Sequence, residues 1–141
     1  MAGEEAMQTD VIIVGGSYAG MAAALQLLRA RRTVVVIDAG LRRNRFAHHS
    51  HGFLTQDGAD PADIAGIAKA QLLRYPTLTW VDALAEFARG TKGAFTVPTV
   101  GNGSFHGRRL LFAIGVSDAL PEIEGLAERW GRSVFHCPYC H

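Results

Sequence analysis

The sequence predicts an α/β fold in which a parallel sheet carries an inserted antiparallel β excursion. Three observations predict it. Two β-branched apolar segments, DVIIV at 10–14 and TVVVID at 33–38, flank a helix-forming segment. The glycine turn VGGSYAG at 14–20 joins the first of them to the helix, and residues 78–115 contain strand-like runs separated by glycine turns. Strand, turn, helix and strand together form a βαβ unit, whose crossover is nearly always right-handed.

The first three elements follow from local residue preferences. Asp10–Val14 is typical of a strand buried on both faces, and Ala19–Ala30 consists of strong helix formers with arginines at its carboxyl end. Thr33–Asp38 is the second buried strand. Residues 39–58 are rich in Arg, His and Gly and show no period, and a loop of this length in a compact domain is usually functional.

The next predicted element is a second helix. It begins at Asp60 and Pro61, with Asp60 as the cap, and runs to about Tyr75 before Pro76 ends it.

Three strands then follow in LTWVDALAEFA, AFTVPTV and FHGRRLLFAIG, and we expect the outer two to be antiparallel. Pro98 predicts that the middle strand is an edge. Beyond Gly115 we expect a turn at Pro121, a short helix near Gly125–Gly131 and the terminal segment SVFHCPYCH.

Composition limits the classes of function. The 141 residues suffice for one domain or a piece of a larger protein, and 48% apolar residues with 19% charged residues indicate a globular chain. A net charge of +1 disfavours nucleic acid as the main partner. The acidic start MAGEEAMQTD is unlike a secretory signal, so we expect a cytoplasmic protein. The apolar stretch 11–28 divides into a strand and a helix, which predicts no membrane span.

The glycine turn is a candidate dinucleotide site. It aligns with the pattern G-x-G-x-x-G, except that Ser17 replaces the middle glycine, and Asp38 follows Gly20 by 18 residues at the end of the second strand. An acidic residue there binds ribose hydroxyls, and the helix amino terminus attracts a pyrophosphate. A tight turn without a ligand is the alternative. The motif does not separate NAD from FAD, but the β excursion favours a flavoprotein.

The segment FHCPYCH at 135–141 contains the only two cysteines. A Cys-x-x-Cys pair can cycle between dithiol and disulfide. Three alternatives stay open: c-type haem attachment, which requires export; a zinc site using His136, Cys137, Cys140 and His141, which is strained in so short a segment; and two buried cysteines without a chemical role.

These motifs together resemble the amino-terminal part of the pyridine-nucleotide disulfide oxidoreductases of the small thioredoxin-reductase type. DVIIVGGSYAGMAAAL resembles their first FAD motif, VVVIDAG their ribose strand, RRLLFAIGVSDALPEIEGL their second FAD signature and HCPYCH their redox-active pair. Two residues depart from the family pattern. Ile114 replaces the usual Thr, and His141 replaces the usual Asp, as in a branch that includes dithiol oxidases of small sulfur-containing metabolites.

The resemblance implies a division of the chain and a set of site residues. Residues 1–115 would be a partial Rossmann-like FAD-binding domain, incomplete at its carboxyl end. Residues 116–141 would be the connection and the start of the redox-active C-x-x-C region of a missing pyridine-nucleotide domain. Asp38 would bind the adenosine ribose, the backbone near Ala83 the adenine, and Gly115 the cofactor's flank. Arg45 and His51 would approach the flavin, although solvated loop residues and a strand-ending turn at Gly115 are alternatives. The pyrophosphate residues would be Gly15, Gly16, Ser17, Tyr18, Ala19 and Gly20.

The resemblance also implies a reaction. Electrons would pass from NADPH through FAD to the cysteine pair, with Cys140 facing the flavin, Cys137 exchanging with the substrate and His141 moving the thiol proton. The substrate would be a disulfide or dithiol, either a thioredoxin-like protein or a small molecule, and the complete protein a homodimer. A glycine-rich NADPH motif is not found in these 141 residues. A small-molecule dithiol oxidase and a non-catalytic dinucleotide-binding domain are the alternatives.

Overall fold

A computed structural model describes residues 8–140 and shows one six-stranded mixed sheet. The strand order is β3-β2-β1-β6-β5-β4; the first four strands are parallel, and β5 and β4 are antiparallel to their neighbours. The predicted α/β class, with a parallel sheet and an antiparallel excursion, is therefore confirmed. The strands are β1 (Thr9–Val14), β2 (Val34–Asp38), β3 (Leu78–Asp82), β4 (Arg89–Thr91), β5 (Ala94–Thr99) and β6 (Gly103–Phe112).

The predicted βαβ unit is present almost residue for residue. Helix α1 (Tyr18–Arg29) connects β1 to β2, and the two strands pair in parallel from Val11 opposite Val34 onward. The helix buries an apolar stripe of Met21, Ala24 and Leu28. Consecutive buried residues in β2 confirm that this strand is covered on both faces, as its uninterrupted apolar run indicates.

The prediction for residues 78–88 is wrong in one respect. Only Leu78–Asp82 forms a strand, and it pairs in parallel with β2, so the outer two strands of the predicted excursion are not antiparallel partners. The antiparallel excursion consists of β4, β5 and β6 instead. The apolar residues of this run continue beyond β3 because Ala83, Ala85 and Ala88 pack against the core without belonging to a strand.

The prediction that Pro98 marks an edge strand is wrong for β5 as a whole. β5 lies between β6 and β4, but β4 pairs only with residues 94–96. Pro98 lies beyond that short pairing, opposite Ser104 of β6, and its carbonyl accepts a hydrogen bond from the Glu86 N–H at 3.0 Å. A proline is tolerated there because β4 ends before it reaches a position where a missing N–H would matter.

The core on one face of the sheet combines parallel and antiparallel strands. Its fully enclosed members are Ile12 from β1, Ile37 from β2 and Val97 from β5, joined by Val35 and Val81. Burial of such side chains supplies the main stabilisation of the sheet, at about 1.5–3 kcal/mol for each. A rigid sheet therefore carries the carboxyl ends of β1 and β2, where the candidate nucleotide residues lie.

The chain divides into two compact units. Residues 8–41 and 68–114 form the first, here called the sheet unit, and residues 42–67 and 115–140 form the second, here called the loop unit. The loop 42–67 therefore groups with the segment that holds the cysteines, whereas the predicted boundary at residue 115 assigns it to the first domain. The functional meaning of that boundary stays a prediction.

The loop unit contains a 3-10 helix (Arg43–Phe46), the start of α2 (Pro61–Leu72) and the short α3 (Leu126–Arg129). Asp60 caps α2 as predicted, since its Oδ1 accepts a hydrogen bond from the Ala62 N–H at 2.7 Å. The helix ends at Leu72, three residues before the predicted end. Between residues 8 and 140, no helix has the length and hydropathy needed to cross a bilayer.

Candidate functional site

The glycine turn after β1 is closed by two close backbone contacts. Gly15 has a φ of +107°, and a Cβ at this position would lie 2.2 Å from the Ala113 carbonyl oxygen. A Cβ on Gly20 would lie 1.9 Å from the Gly15 carbonyl oxygen. The first glycine thus permits the turn, and the last one lets α1 begin directly against it.

Gly16 and Asp38 join the glycine turn to the end of β2. The Gly16 N–H donates to Asp38 Oδ1 at 3.2 Å, and the Gly40 N–H donates to the same oxygen at 3.2 Å. The carboxylate is therefore oriented by two backbone groups. Because both hydrogen bonds use Oδ1, Oδ2 is the oxygen to which a ribose hydroxyl would donate.

The amino terminus of α1 offers backbone donors to an anion. Ser17 is the N-cap in an extended conformation, and its side chain makes no capping hydrogen bond. The first turn contains no acidic residue. N–H groups at the start of a helix lack acceptors within the helix and carry its positive dipole. This end of α1 suits a phosphate, as the sequence predicts for Gly15–Gly20.

Two further candidates, Ala83 and Gly115, differ in how their backbone is held. The Ala83 N–H donates to the Asp38 carbonyl oxygen at 3.0 Å, so this amide is already used by the sheet. Gly115 is exposed with a φ of +65°, and no atom lies within 4 Å of its Cβ position. A left-handed turn, not close packing, is the reason for glycine there. Cofactor contacts at Ala83 and Gly115 stay predictions.

The two cysteines lie in a short turn at the end of the loop unit. Both are free thiols, Cys137 exposed and Cys140 partly exposed. Two buried, inert cysteines are therefore not what the structure shows. His141, predicted to move the thiol proton, lies outside the described residues. Within residues 8–140, no three His, Cys, Asp or Glu side chains are grouped to hold a metal ion.

An ion pair that the sequence did not predict lies beside this turn. Arg43 donates to both carboxylate oxygens of Asp118, at 2.9 Å from Nε and 2.5 Å from Nη2. The hydrogen bonds from Arg43 lower the pKa of Asp118, and those to Asp118 raise the pKa of Arg43, with a smaller contribution from Cys137. Only the density of arginines in RRNR signalled a role for this segment, and it did not single out Arg43.

His51 contacts the spacer of the cysteine pair. Its ring meets the Tyr139 ring edge to face, with centroids 6.3 Å apart, and its Nδ1 lies 3.3 Å from Asp57 Oδ1. Asp57 also accepts the Gly52 N–H at 3.0 Å, and this bond, followed by the one with His51, lowers the pKa of Asp57. His51 is therefore positioned within the loop unit by its own neighbours.

Arg42 and Arg45, at and in the 3-10 helix, differ in their hydrogen bonds. Arg45 donates to the Arg42 carbonyl oxygen at 2.8 Å and lies over the Phe46 ring at 4.5 Å. Nε of Arg42 is buried without a hydrogen-bond partner among the described residues. A buried donor of this kind is rare in native proteins, where such groups are paired with protein atoms or ordered water. The predicted flavin contact of Arg45 stays a prediction.

Known proteins are similar to this chain in sequence. Residues 9–141 match the family described as pyridine nucleotide-disulphide oxidoreductase. The thioredoxin reductase aclD of Aspergillus oryzae is 42% identical over 135 residues, which cover 94% of this chain and 43% of that protein. The thioredoxin reductase sirT of Leptosphaeria maculans is 33% identical, with 94% and 41% coverage.

A solved structure is similar to this chain in both sequence and fold. The crystal structure of an oxidoreductase from Agrobacterium tumefaciens is 57% identical, with a TM-score of 0.90 over 96% of this chain and 46% of that one. The chain thus spans less than half the length of these relatives. Membership of the matched family implies a flavin cofactor and a Rossmann-like nucleotide-binding fold. This chain belongs to the pyridine nucleotide-disulphide oxidoreductase family.

Proposed function

We propose that the chain is the FAD-binding and dithiol part of a thioredoxin-reductase-like enzyme, which passes electrons from NADPH through FAD to a substrate disulfide. The observation that carries this proposal is the free cysteine pair, with Cys137 exposed and Cys140 partly exposed in one turn. An exposed first cysteine can reach a disulfide on another molecule. The family match and the relatives named thioredoxin reductases support the same reaction class.

The residues of the glycine turn fit the adenosine and pyrophosphate of FAD. Gly15 and Gly20 leave no room for side chains, so the turn is tight and α1 begins directly against it. The small Ser17 stands at the middle position of the motif, where the backbone would approach the pyrophosphate. Asp38 Oδ1 is held by the Gly16 N–H, so Oδ2 is the oxygen that would accept from a ribose hydroxyl. A carboxylate there would repel a 2'-phosphate, which favours FAD over NADPH at this site.

The chemistry of the pair follows from thiol exchange. When bound, FAD supplies the two-electron redox chemistry that connects a nicotinamide to a disulfide. The Cys137 thiolate attacks one sulfur of the substrate disulfide, forming a mixed disulfide and releasing the other sulfur as a thiolate. Cys140 then attacks Cys137, which forms the Cys137–Cys140 disulfide and frees the second substrate thiol. The pair has lost two electrons and the substrate has gained two.

Further features of the complete protein belong to the same proposal. A thioredoxin-like protein disulfide is the favoured substrate, because the relatives are named thioredoxin reductases. The comparisons do not favour a small-molecule dithiol oxidase or a non-catalytic binding domain. We further propose a homodimeric, cytoplasmic enzyme in which His141 moves the thiol proton, a role that imidazole side chains in general can fill.

The test uses the protein expressed from its complete coding sequence. Cys137→Ser and Cys140→Ser should each reduce NADPH-dependent reduction of thioredoxin to background. They should leave the yellow flavin absorbance and its bleaching by dithionite unchanged, because neither cysteine belongs to the glycine turn. Trp130→Phe, a loop-unit change outside the cysteine pair, serves as the control and should retain activity. Disulfide reduction that persists in both cysteine variants would refute the proposed role of the pair.

A further inference from the structure

We propose that Trp80 is a positioning residue for the adenosine end of the site, clamped by Asp82 and Lys69 so that it supports Gly16 and Asp38. This inference rests on the proposed binding of FAD at the glycine turn. All five residues belong to the sheet unit. No sequence motif points to Trp80, Asp82 or Lys69. Trp80 has the character of an ordinary strand residue among apolar neighbours.

The indole of Trp80 is held by two side chains that also bind each other. Its Nε1–H donates to Asp82 Oδ1 at 3.0 Å. Lys69 Nζ lies 3.0 Å from the same oxygen and 4.5 Å from the centroid of the Trp80 ring. The hydrogen bond and the cation–π contact restrict the rotation of the indole. Lys69 is partly exposed and Asp82 is largely exposed, so their ion pair adds little to the stability of the fold. Its main effect is to orient the indole of Trp80.

The held indole closes the space beside Gly16. A Cβ on Gly16 would lie 2.7 Å from Cη2 of Trp80, 2.6 Å from Asp38 Cβ and 2.7 Å from Asp38 Cγ. Gly16 is buried, and the indole and the carboxylate side chain therefore enclose the same point of the turn. The strand register explains why they meet, since Trp80 pairs with Val36 and Asp82 pairs with Asp38 on adjacent β2 and β3.

This arrangement controls the carboxylate that would bind the ribose. The Gly16 N–H reaches Asp38 Oδ1 at 3.2 Å, near the long end of hydrogen-bond distances, so a small outward shift of the turn would break the bond. The indole blocks such a shift from one side. Lys69 acts on the charge, because it neutralises Asp82, whose carboxylate would otherwise add an uncompensated negative charge at the strand position paired with Asp38.

The test measures nucleotide affinity and tryptophan fluorescence on the apo chain. The probe is ADP, which contains the adenosine and the pyrophosphate but does not absorb in the range of tryptophan emission. The chain has two tryptophans, so Trp130→Phe leaves Trp80 as the single fluorophore. In that variant we expect ADP to change the emission with a saturable curve. In Trp80→Phe, where Trp130 in the loop unit is the fluorophore, we expect no change.

The affinity arm separates positioning from stability. Trp80→Ala should weaken ADP binding, measured by calorimetry on folded protein, by about tenfold, the equivalent of one lost hydrogen bond. Trp80→Phe keeps an aromatic wall without the Nε1–H donor, and should weaken binding less and remain folded. Lys69→Met should weaken binding more at low salt than at high salt, because the repulsion that it exposes is screened.

The outcomes distinguish this inference from the function on which it rests. Trp80 variants that melt at lower temperature but bind ADP as tightly as the unsubstituted chain would overturn the positioning role alone. An ADP response from Trp130 and not from Trp80 would do the same. If neither the unsubstituted chain nor the flavin-free protein expressed from its complete coding sequence binds ADP or FAD, the proposed nucleotide site itself is refuted.

Discussion

The glycine turn of the sheet unit and the cysteine turn of the loop unit are built in opposite ways. Backbone groups hold the first: Gly15 donates to the Ile37 carbonyl oxygen, and the Gly16 N–H orients Asp38. Side chains surround the second: His51 contacts Tyr139 of the turn, and the Arg43–Asp118 ion pair lies in the same unit. A site made of strand register is rigid, whereas a site made of exposed ion pairs depends on pH and salt.

This contrast suits the two tasks proposed for the units. A cofactor that stays bound needs a preformed binding site, and the glycine turn has no space for side chains at its glycines. A dithiol that meets a partner must be accessible, and Cys137 is exposed. The four predictions below test the contrast, from the largest expected effect to the smallest.

Two glycines in helices should respond to alanine in opposite directions. In Gly20→Ala the new Cβ would meet the Gly15 carbonyl oxygen at 1.9 Å, so the turn or the helix must move. We expect a loss of about 3 kcal/mol in the free energy of unfolding. Gly66→Ala in α2 meets no atom within 4 Å and should stabilise the chain by roughly 0.5–1 kcal/mol through helix propensity. Urea denaturation measures both, and equal effects would remove the claimed rigidity of the glycine turn.

The two thiols should differ in reactivity. Cys137 is exposed and Cys140 is only partly so. With limiting iodoacetamide, mass spectrometry of the reduced chain should find Cys137 alkylated several-fold faster, on the order of three- to tenfold, because access and thiolate formation govern the rate. Cys137→Ser should leave the slower labelling of Cys140 in place. Equal rates for the two thiols would show that the turn does not distinguish them.

The cap of α2 should contribute measurably to stability. Asp60→Ala removes the acceptor of the Ala62 N–H, and the expected loss is about 1 kcal/mol in the free energy of unfolding. Asp63→Ala, in the first turn of the same helix, is the matched control and should cost less, because it loses only an interaction with the helix dipole. Thermal or urea unfolding can rank the two variants, and the reverse ranking would contradict the observed cap.

The ion pair of the loop unit should give a small dependence of stability on pH. Arg43 lowers the pKa of Asp118 in the folded chain, so folding favours the charged carboxylate. The stabilisation is fully present above the ordinary pKa of aspartate, near 4, and is lost as the pH falls through the lower folded pKa. Asp118→Asn should therefore reduce the melting temperature more at pH 7 than at pH 3. A variant that melts equally below the unsubstituted chain at both pH values would assign Asp118 a role other than this ion pair.

Local signals account for what could be predicted. The glycine turn, the two strands beside it and the Asp60 cap each depend on residues only a few positions apart, and the structure contains all of them. The prediction of the antiparallel excursion is only partly right, because the apolar residues of a strand do not indicate which strand it pairs with. Val81 and Ala83 are both apolar, yet only the first belongs to β3.

The sequence by itself determined the βαβ unit, the cap of α2, the position of the cysteine pair and the family, because periodicity, capping and motif spacing are short-range properties of the chain. Only the tertiary structure decided the place of β3 beside β2, the grouping of 42–67 with 115–140 and the clamp on Trp80. Arg43 and Asp118 illustrate the reason, since they are 75 residues apart and have no shared pattern in the sequence. Contacts of that kind depend on how the folded backbone returns on itself, and short-range patterns carry little information about it.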